Sequence, residues 1–267
     1  MSGLPTVRLG KLEVSKLIVG GNMFSGFSHM GEDKDREMRR YYTVARIKET
    51  FRHAERLGIN AVVSRADNHV IRTLGEYWDE GGAIRWIAQT CSDMSSLQGA
   101  IGHAIANGAH AVYVHGGKVD WLFAHGRMDE AAKGVEQIRS AGLPAGVAAH
   151  EPRIFEWMMA NGFDADFYMC AYYNPSPRTD NPMHDPKANE TFCPKDRDAM
   201  AAVIRRMDRP VIHYKVMAGG RNDPAEAFGF VAKHLRPQDA VAVGVYTKDK
   251  PDLLEENIAL LRRFGAA

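Results

Sequence analysis

The chain has 267 residues, 34 Lys and Arg against 33 Asp and Glu, and a formal net charge of +1. Basic residues alternate with acids as on solvated helix faces, which argues against a nucleic-acid or anionic-membrane surface, and no run approaches the roughly 20 apolar residues that span a bilayer. The opening Met1-Ser2-Gly3-Leu4-Pro5 has no basic-then-apolar leader, and Cys91, Cys170 and Cys193 are widely spaced without a CxxC, so a reduced cytoplasmic compartment is expected instead of a disulfide framework or cysteine zinc site.

Val7–Ser15 reads as a hairpin turning at Gly10-Lys11, placed to close one end of the domain. From there a short run rich in Val, Ile and Ala alternates with a longer amphipathic stretch. The runs fall at 17–20, 60–64, 85–90, 110–115, 145–150, 165–170, 210–215 and 239–246. Continuous apolar runs of this length suit strands buried on both faces, and a helix-length segment between them is what a parallel crossover needs. Eight such units in about 250 residues predict one (β/α)8 barrel domain over 1–267, preceded by the hairpin.

Between the strands, 23–40 reads as a polar loop folding over the barrel mouth, and 44–57 as a helix closed by Gly58. A helix follows Asp67 and ends at Gly81-Gly82; Ser95 or Ser96 caps the next, which Gly108 stops. Further helices are expected at 128–140, 151–161, 196–207 and 251–264, with Asn222 or Asp223 capping one that starts at Pro224. The segment 172–194, with Asn174-Pro175-Ser176-Pro177, Asn181-Pro182 and Asp185-Pro186, is the longest irregular stretch, and a loop of about 20 residues in a compact domain is usually functional or disordered. In a barrel it emerges on the catalytic side, so it is read as a substrate cover.

Such a fold places chemistry at the C-terminal strand ends. The polar residues there are Asp67 and His69 after the second strand, His115 and His150 ending the fourth and fifth, and Tyr172 and Tyr173 after the sixth. Lys215 ends the seventh and Lys248 comes after the eighth. His115, His150, Lys215, Asp67, His69 and Tyr172 are the catalytic candidates. The two imidazoles suit acid–base work near neutral pH, or a divalent metal with Asp67 or His69 as a further ligand. Asp67 equally suits a helix cap, and Lys215 is read as a base, an anion partner or half of a salt bridge. Tyr172 or Tyr173 serves as proton donor or packs under the loop. Strict alternation gives His213 the orientation of Lys215 at a deeper, structural position. Gly219, Gly220 and Arg221 precede a helix where barrels often hold phosphate, and with Lys248 they form the candidate cofactor set; a glycine-requiring turn is the alternative.

Val7–Leu17, Ala54–Asn60, Leu74-Gly75, Val112–His115, Gly146–His150 and Leu253–Asn257, taken in order, make almost the whole chain resemble the aldo/keto reductase superfamily. The resemblance implies the barrel with its hairpin, and NADP(H) as a cofactor. It also implies an Asp, Tyr, Lys and His as catalysts, of which His115 matches the histidine. The chain departs from that pattern in three places. Val62–His69 lacks an Asp-x-x-x-x-Tyr, Gln89-Thr90 stands where the family has its lysine, and Leu253 replaces the basic residue before Glu-Asn.

These residues support two enzymatic expectations and one other. The first is an enzyme acting on a polar carbonyl or sugar-like small molecule by acid–base or metal-assisted chemistry, of the isomerase, epimerase or lyase kind. The second is an NAD(P)H-dependent oxidoreductase with a rearranged site. The third is a non-catalytic ligand-binding barrel, which predicts that the strand-end polar residues do not converge.

Overall fold

The computed structural model describes residues 3–183, 185 and 190–265; Met1-Ser2 of the leader reading and Pro186 of the long loop lie outside the described residues. Strands β1 (Thr6–Leu9) and β2 (Leu12–Ser15) pair antiparallel around Gly10-Lys11. The remaining strands are β3 (Leu17–Gly20), β4 (Ala61–Arg65), β5 (Arg85–Gln89), β6 (Ala111–Val114), β7 (Ala145–Ala149), β8 (Phe167–Ala171), β9 (Val211–Tyr214) and β10 (Ala240–Gly244). All eight are parallel and close into a barrel through β10 and β3, with Val241 opposite Leu17.

Because side chains alternate along a strand, each strand feeds two cores. Ile18, Ile87, Phe167, Met169 and Ile212 fill the interior, where Val7, Leu9 and Val14 of the hairpin join them and seal the N-terminal end. Leu17, Val62, Trp86, Val112, Val147 and Val211 face the helices. The interior is tight. A Cβ on Gly146 would lie 2.4 Å from the Phe167 ring, so β7 passes this large side chain only as glycine.

The helices are α1 (Glu32–Tyr41), α2 (Val44–Arg56), α3 (Asn68–Asp79), α4 (Leu97–Ala106), α5 (Gly116–Ala124), α6 (Met128–Ser140), α7 (Pro152–Ala160), α8 (Pro194–Ile204), α9 (Pro224–His234) and α10 (Leu253–Arg263). Ser96 and Asp223 are the caps chosen from the two expected pairs, accepting from Gly99 N and Glu226 N. Two helices correct the reading of the sequence. α1 occupies half of what was expected to be loop. It buries only Asp35 and Met38, but Glu32, Asp33 and Asp35 in its first turn and Arg39 and Arg40 in its last complement the helix dipole. α5 begins on Gly116-Gly117, which masks its start, and packs against β7. Among the described residues, no helix or strand lies between Ala171 and Pro194, and no helix is long and apolar enough to cross a membrane.

Candidate active site

The mouth is built where β6, β7 and β9 end. His150 follows β7 and is buried. Asp120, projecting from α5 and equally enclosed, accepts from its backbone N (3.1 Å) and from its Nδ1 (2.6 Å). A carboxylate on Nδ1 fixes the tautomer with Nε2 as the open acceptor. Tyr214, inward-facing on β9, sets its hydroxyl 3.4 Å from that Nε2. Burial pushes the Tyr214 phenol well above its ordinary value, so it stays protonated at neutral pH. Gly116 makes the junction possible, since a Cβ there would lie 2.9 Å from His150 Cε1 and 3.1 Å from the Tyr214 oxygen.

His115 lies beside this chain. Its Nδ1 is 2.7 Å from Ser92 Oγ, and its backbone N donates to Thr90 Oγ1 (3.0 Å). Burial, reinforced by the basic groups His150, Arg65, Arg178 and Lys215 nearby, holds its imidazole well below the ordinary value and hence neutral at pH 7. Both His115 and Tyr214 keep part of their surface open to solvent.

Lys215 comes directly after Tyr214 and has φ +58°. Strict alternation would give it the outward direction of His213; the left-handed turn breaks the alternation and sends its ammonium to the mouth. There Nζ lies 3.0 Å from Nε2 of His29. His29 Nδ1 in turn lies 2.8 and 3.0 Å from the Glu190 carboxylate oxygens. His29 comes from the segment before α1 and Glu190 from the long loop after β8, so both segments expected over the mouth meet on this lysine. Burial brings the Lys215 amine down to about 8, helped by Arg178 and opposed by Glu190 and Asp120. Among the described residues the non-glycine positions with positive φ are His29, Lys215 and Ala218, and Ala218 N donates to Lys215 O. Strained backbone gathered in one place is the usual mark of a functional constraint.

The other predicted residues go elsewhere. Asp67 caps α3 by accepting from Val70 N (3.0 Å) and also accepts from Ser25 Oγ (2.5 Å). His69 lies exposed on α3. Tyr172 turns outward and is fully buried against Phe230 of α9, its hydroxyl 2.9 Å from His213 Nδ1. The metal expectation for His115, His150 and Asp67 is not met by the geometry. Asp67 is committed to α3 and Ser25, and among the described residues no group of three or more His, Cys, Asp or Glu is arranged to hold a metal ion.

The residues expected to hold a dinucleotide are engaged within the protein. Gly219 and Gly220 have φ +65° and +87°, the turn alternative. Arg221 donates to Ala218 O (3.1 Å) and His29 O (2.9 Å) and stacks 4.4 Å over Phe192. Lys248 pairs with Glu37 on α1. These cations tie the covering segments to the barrel and to α1.

Asp120, Tyr214, His29 and Glu190 escaped the sequence reading. Asp120 carried a signal: a lone carboxylate within Val119-Asp120-Trp121-Leu122-Phe123 must find a partner on burial. His29 and Glu190 carried none, because their meeting depends on the path of two irregular segments.

No family model and no curated protein matches the chain. Solved structures do. A Pseudomonas aeruginosa protein named as an aldo-keto reductase superposes with a TM-score of 0.66 at 15% identity, covering 97% of this chain and 94% of that one. A Gox0644 variant in complex with NADPH gives 0.61 at 12%, covering 97% and 89%. An archaeal fructose-1,6-bisphosphate aldolase, with its catalytic lysine bound to the carbinolamine intermediate of its substrate, gives 0.51 at 15%, covering 94% of each. At these identities the likeness shows the shared barrel.

Proposed function

We propose that the chain is an enzyme acting on a polar carbonyl compound by acid–base chemistry, moving a proton on the carbon next to the carbonyl. Isomerisation, epimerisation and elimination all begin this way. The observation that carries the reading is the Tyr214–His150–Asp120 chain ending in a partly open mouth. His150 Nε2 is the atom that takes or returns the proton. Asp120 holds the ring in the right tautomer and stabilises the imidazolium. The Tyr214 phenol, kept protonated, donates to the carbonyl oxygen as charge builds there, and neutral His115 offers a second donor. The barrel gives the reading its location, since its C-terminal face is where such folds do their chemistry.

The test is exchange of the carbon-bound protons of dihydroxyacetone, glyceraldehyde and pyruvate in D2O, followed by NMR. Exchange is expected with the native chain and should be lost in Asp120→Asn; equal rates in both overturn the assignment. The hydride-transfer alternative is separated by titrating NADPH, where saturable fluorescence quenching would favour it.

A further inference from the structure

The acid–base chain leaves a second constellation unused. Lys215 Nζ, His29 Nε2 and Nδ1, and the Glu190 carboxylate form a continuous line at 3.0 Å and 2.8 Å. A carboxylate can only accept, so Nδ1 carries the proton and Nε2 presents its lone pair to the lysine. A nucleophile within hydrogen-bond reach of a base, itself oriented by a third group, is the arrangement that activates serine and cysteine nucleophiles. Here it is built on an amine.

We propose that Lys215 is the nucleophile of an imine-forming site for aldehydes and ketones, with His29 as its base and Glu190 as the residue that positions His29. The proposal rests on the reading of the mouth as a carbonyl site. His29 takes one proton from the Lys215 ammonium. The freed nitrogen lone pair attacks the carbonyl carbon, a C–N bond forms, and the C=O π pair moves to oxygen. A proton passes from nitrogen to that oxygen and gives the carbinolamine. His29 then returns its proton to the hydroxyl, the C–O bond breaks and water leaves, with the nitrogen lone pair closing the C=N bond. Ammonium and carbonyl become a protonated imine and water, with no further reactant. The iminium draws electrons from the neighbouring carbon, which makes its proton easier for His150 to remove.

Three features favour a nucleophile over a structural cation. The backbone at Lys215 and His29 is left-handed in both residues, so the pair is held against the ordinary backbone preference of non-glycine residues. Lys215 remains partly open at the mouth. The groups that face it from neighbouring elements are Glu190, Asp120, Arg178, His115 and His29, and burial among them brings the amine to about 8. At pH 7 that leaves roughly 10% as free amine, against about 0.03% for an ordinary surface lysine, a gain of about 300-fold.

The experiment treats the full chain at pH 7 with dihydroxyacetone, glyceraldehyde or pyruvate and sodium cyanoborohydride, then maps the reduced adduct by peptide mass spectrometry. Labelling is expected at Lys215 about 300-fold ahead of surface lysines, and lost in Lys215→Met. Lys215→Gly, which accepts the same backbone conformation, should also lose it while remaining folded. His29→Gln should slow adduct formation at least tenfold at pH 7 and little at pH 9.5, where lysine sheds its proton unaided; Glu190→Gln should do the same more weakly. Labelling spread evenly over surface lysines overturns the proposal, and equal rates for His29→Gln and the native chain at pH 7 overturn its base. Proton exchange without an adduct overturns the imine and leaves the acid–base reading standing. An adduct at Lys215 without exchange supports the imine and removes that reading.

Discussion

Two Tyr–His–Asp chains run through this barrel, and they are made of the same parts for opposite ends. Tyr214, His150 and Asp120 lie at the mouth, with the tyrosine facing the barrel interior. Tyr172, His213 and Asp239 lie between the barrel and its helices. In the second, the His213 and Asp239 side chains have 0% exposure, and Asp239 also accepts from Val211 N and from the Arg236 guanidinium. Every donor is answered by protein, so nothing remains to meet a ligand. In the first, the last acceptor faces a hydroxyl at a loose 3.4 Å and a surface left partly open. Residue type therefore does not separate the chain proposed as catalytic from the structural one; the direction of the strand residue does.

Exchanging each aspartate in turn separates the two chains by the largest margin. Asp120→Asn keeps the shape but not the charge and permits the wrong tautomer, so proton exchange should fall by about 10³–10⁴-fold, the scale of losing an orienting carboxylate. Its urea unfolding midpoint should move little. Asp239→Ala should do the reverse. Removing one partner from a buried charged network costs about 3–5 kcal/mol, while the fraction still folded should exchange protons at the native rate. If both variants lose activity and stability in proportion, the two chains are not functionally distinct.

A pH series probes the same contrast. Hydrogen bonds from His213 and Arg236 outweigh burial and hold the Asp239 carboxyl below its ordinary value. A depressed carboxylate contributes stability that is complete above the unfolded value, about 3.9. That contribution is lost as pH falls through the lower folded one. Native stability measured by urea at successive pH values should therefore decline below pH 4, and Asp239→Asn should lack that part of the decline.

How far the sequence carried this result differs between scaffold and site. The strands were legible to within two residues at most ends, because strands buried on both faces are continuous apolar runs. The caps Asp67, Ser96 and Asp223 were legible as alternatives, because side-chain oxygens just before a helix have backbone N–H groups within reach. α5 was not, since two glycines open it, and with it went Asp120. The strand ends pointed to His115 and His150, whose position follows from topology alone, and to Lys215, whose position also needs the turn after β9. They also pointed to Tyr172, because sequence order does not say which way a residue one step past β8 turns. The left-handed turn at Lys215 is a decision of three dimensions: alternation would have paired it with His213, and the backbone parts them.

A smaller effect is expected at the junction beside the dyad. Gly116→Ala puts a methyl 2.9 Å from His150 Cε1 and 3.1 Å from the Tyr214 hydroxyl. Overpacking of this kind costs about 1–3 kcal/mol, and the cheapest relief is to swing the imidazole off Asp120. Proton exchange should fall by about 10- to 100-fold, with His150 ring resonances shifted in NMR. Unchanged resonances would show that the ring does not sit against this helix start.

The smallest effect lies one residue on and concerns the cover alone. A Cβ on Gly117 would lie 2.6 Å from Pro182 O, 3.1 Å from His115 Cε1 and 3.4 Å from Arg178 Cγ. The carbonyl belongs to an irregular segment, which can retreat at less cost than a packed ring. Gly117→Ala should thus change unfolding by no more than about 1 kcal/mol and should loosen the segment from the mouth. Limited proteolysis within 172–194 should quicken, and the substrate concentration for half-maximal exchange should rise a few-fold with the maximal rate nearly kept. A fall in the maximal rate matching that of Gly116→Ala would mean that the cover and the Tyr214–His150–Asp120 chain move as one body, and the division between a rigid dyad and a yielding lid would have to be withdrawn.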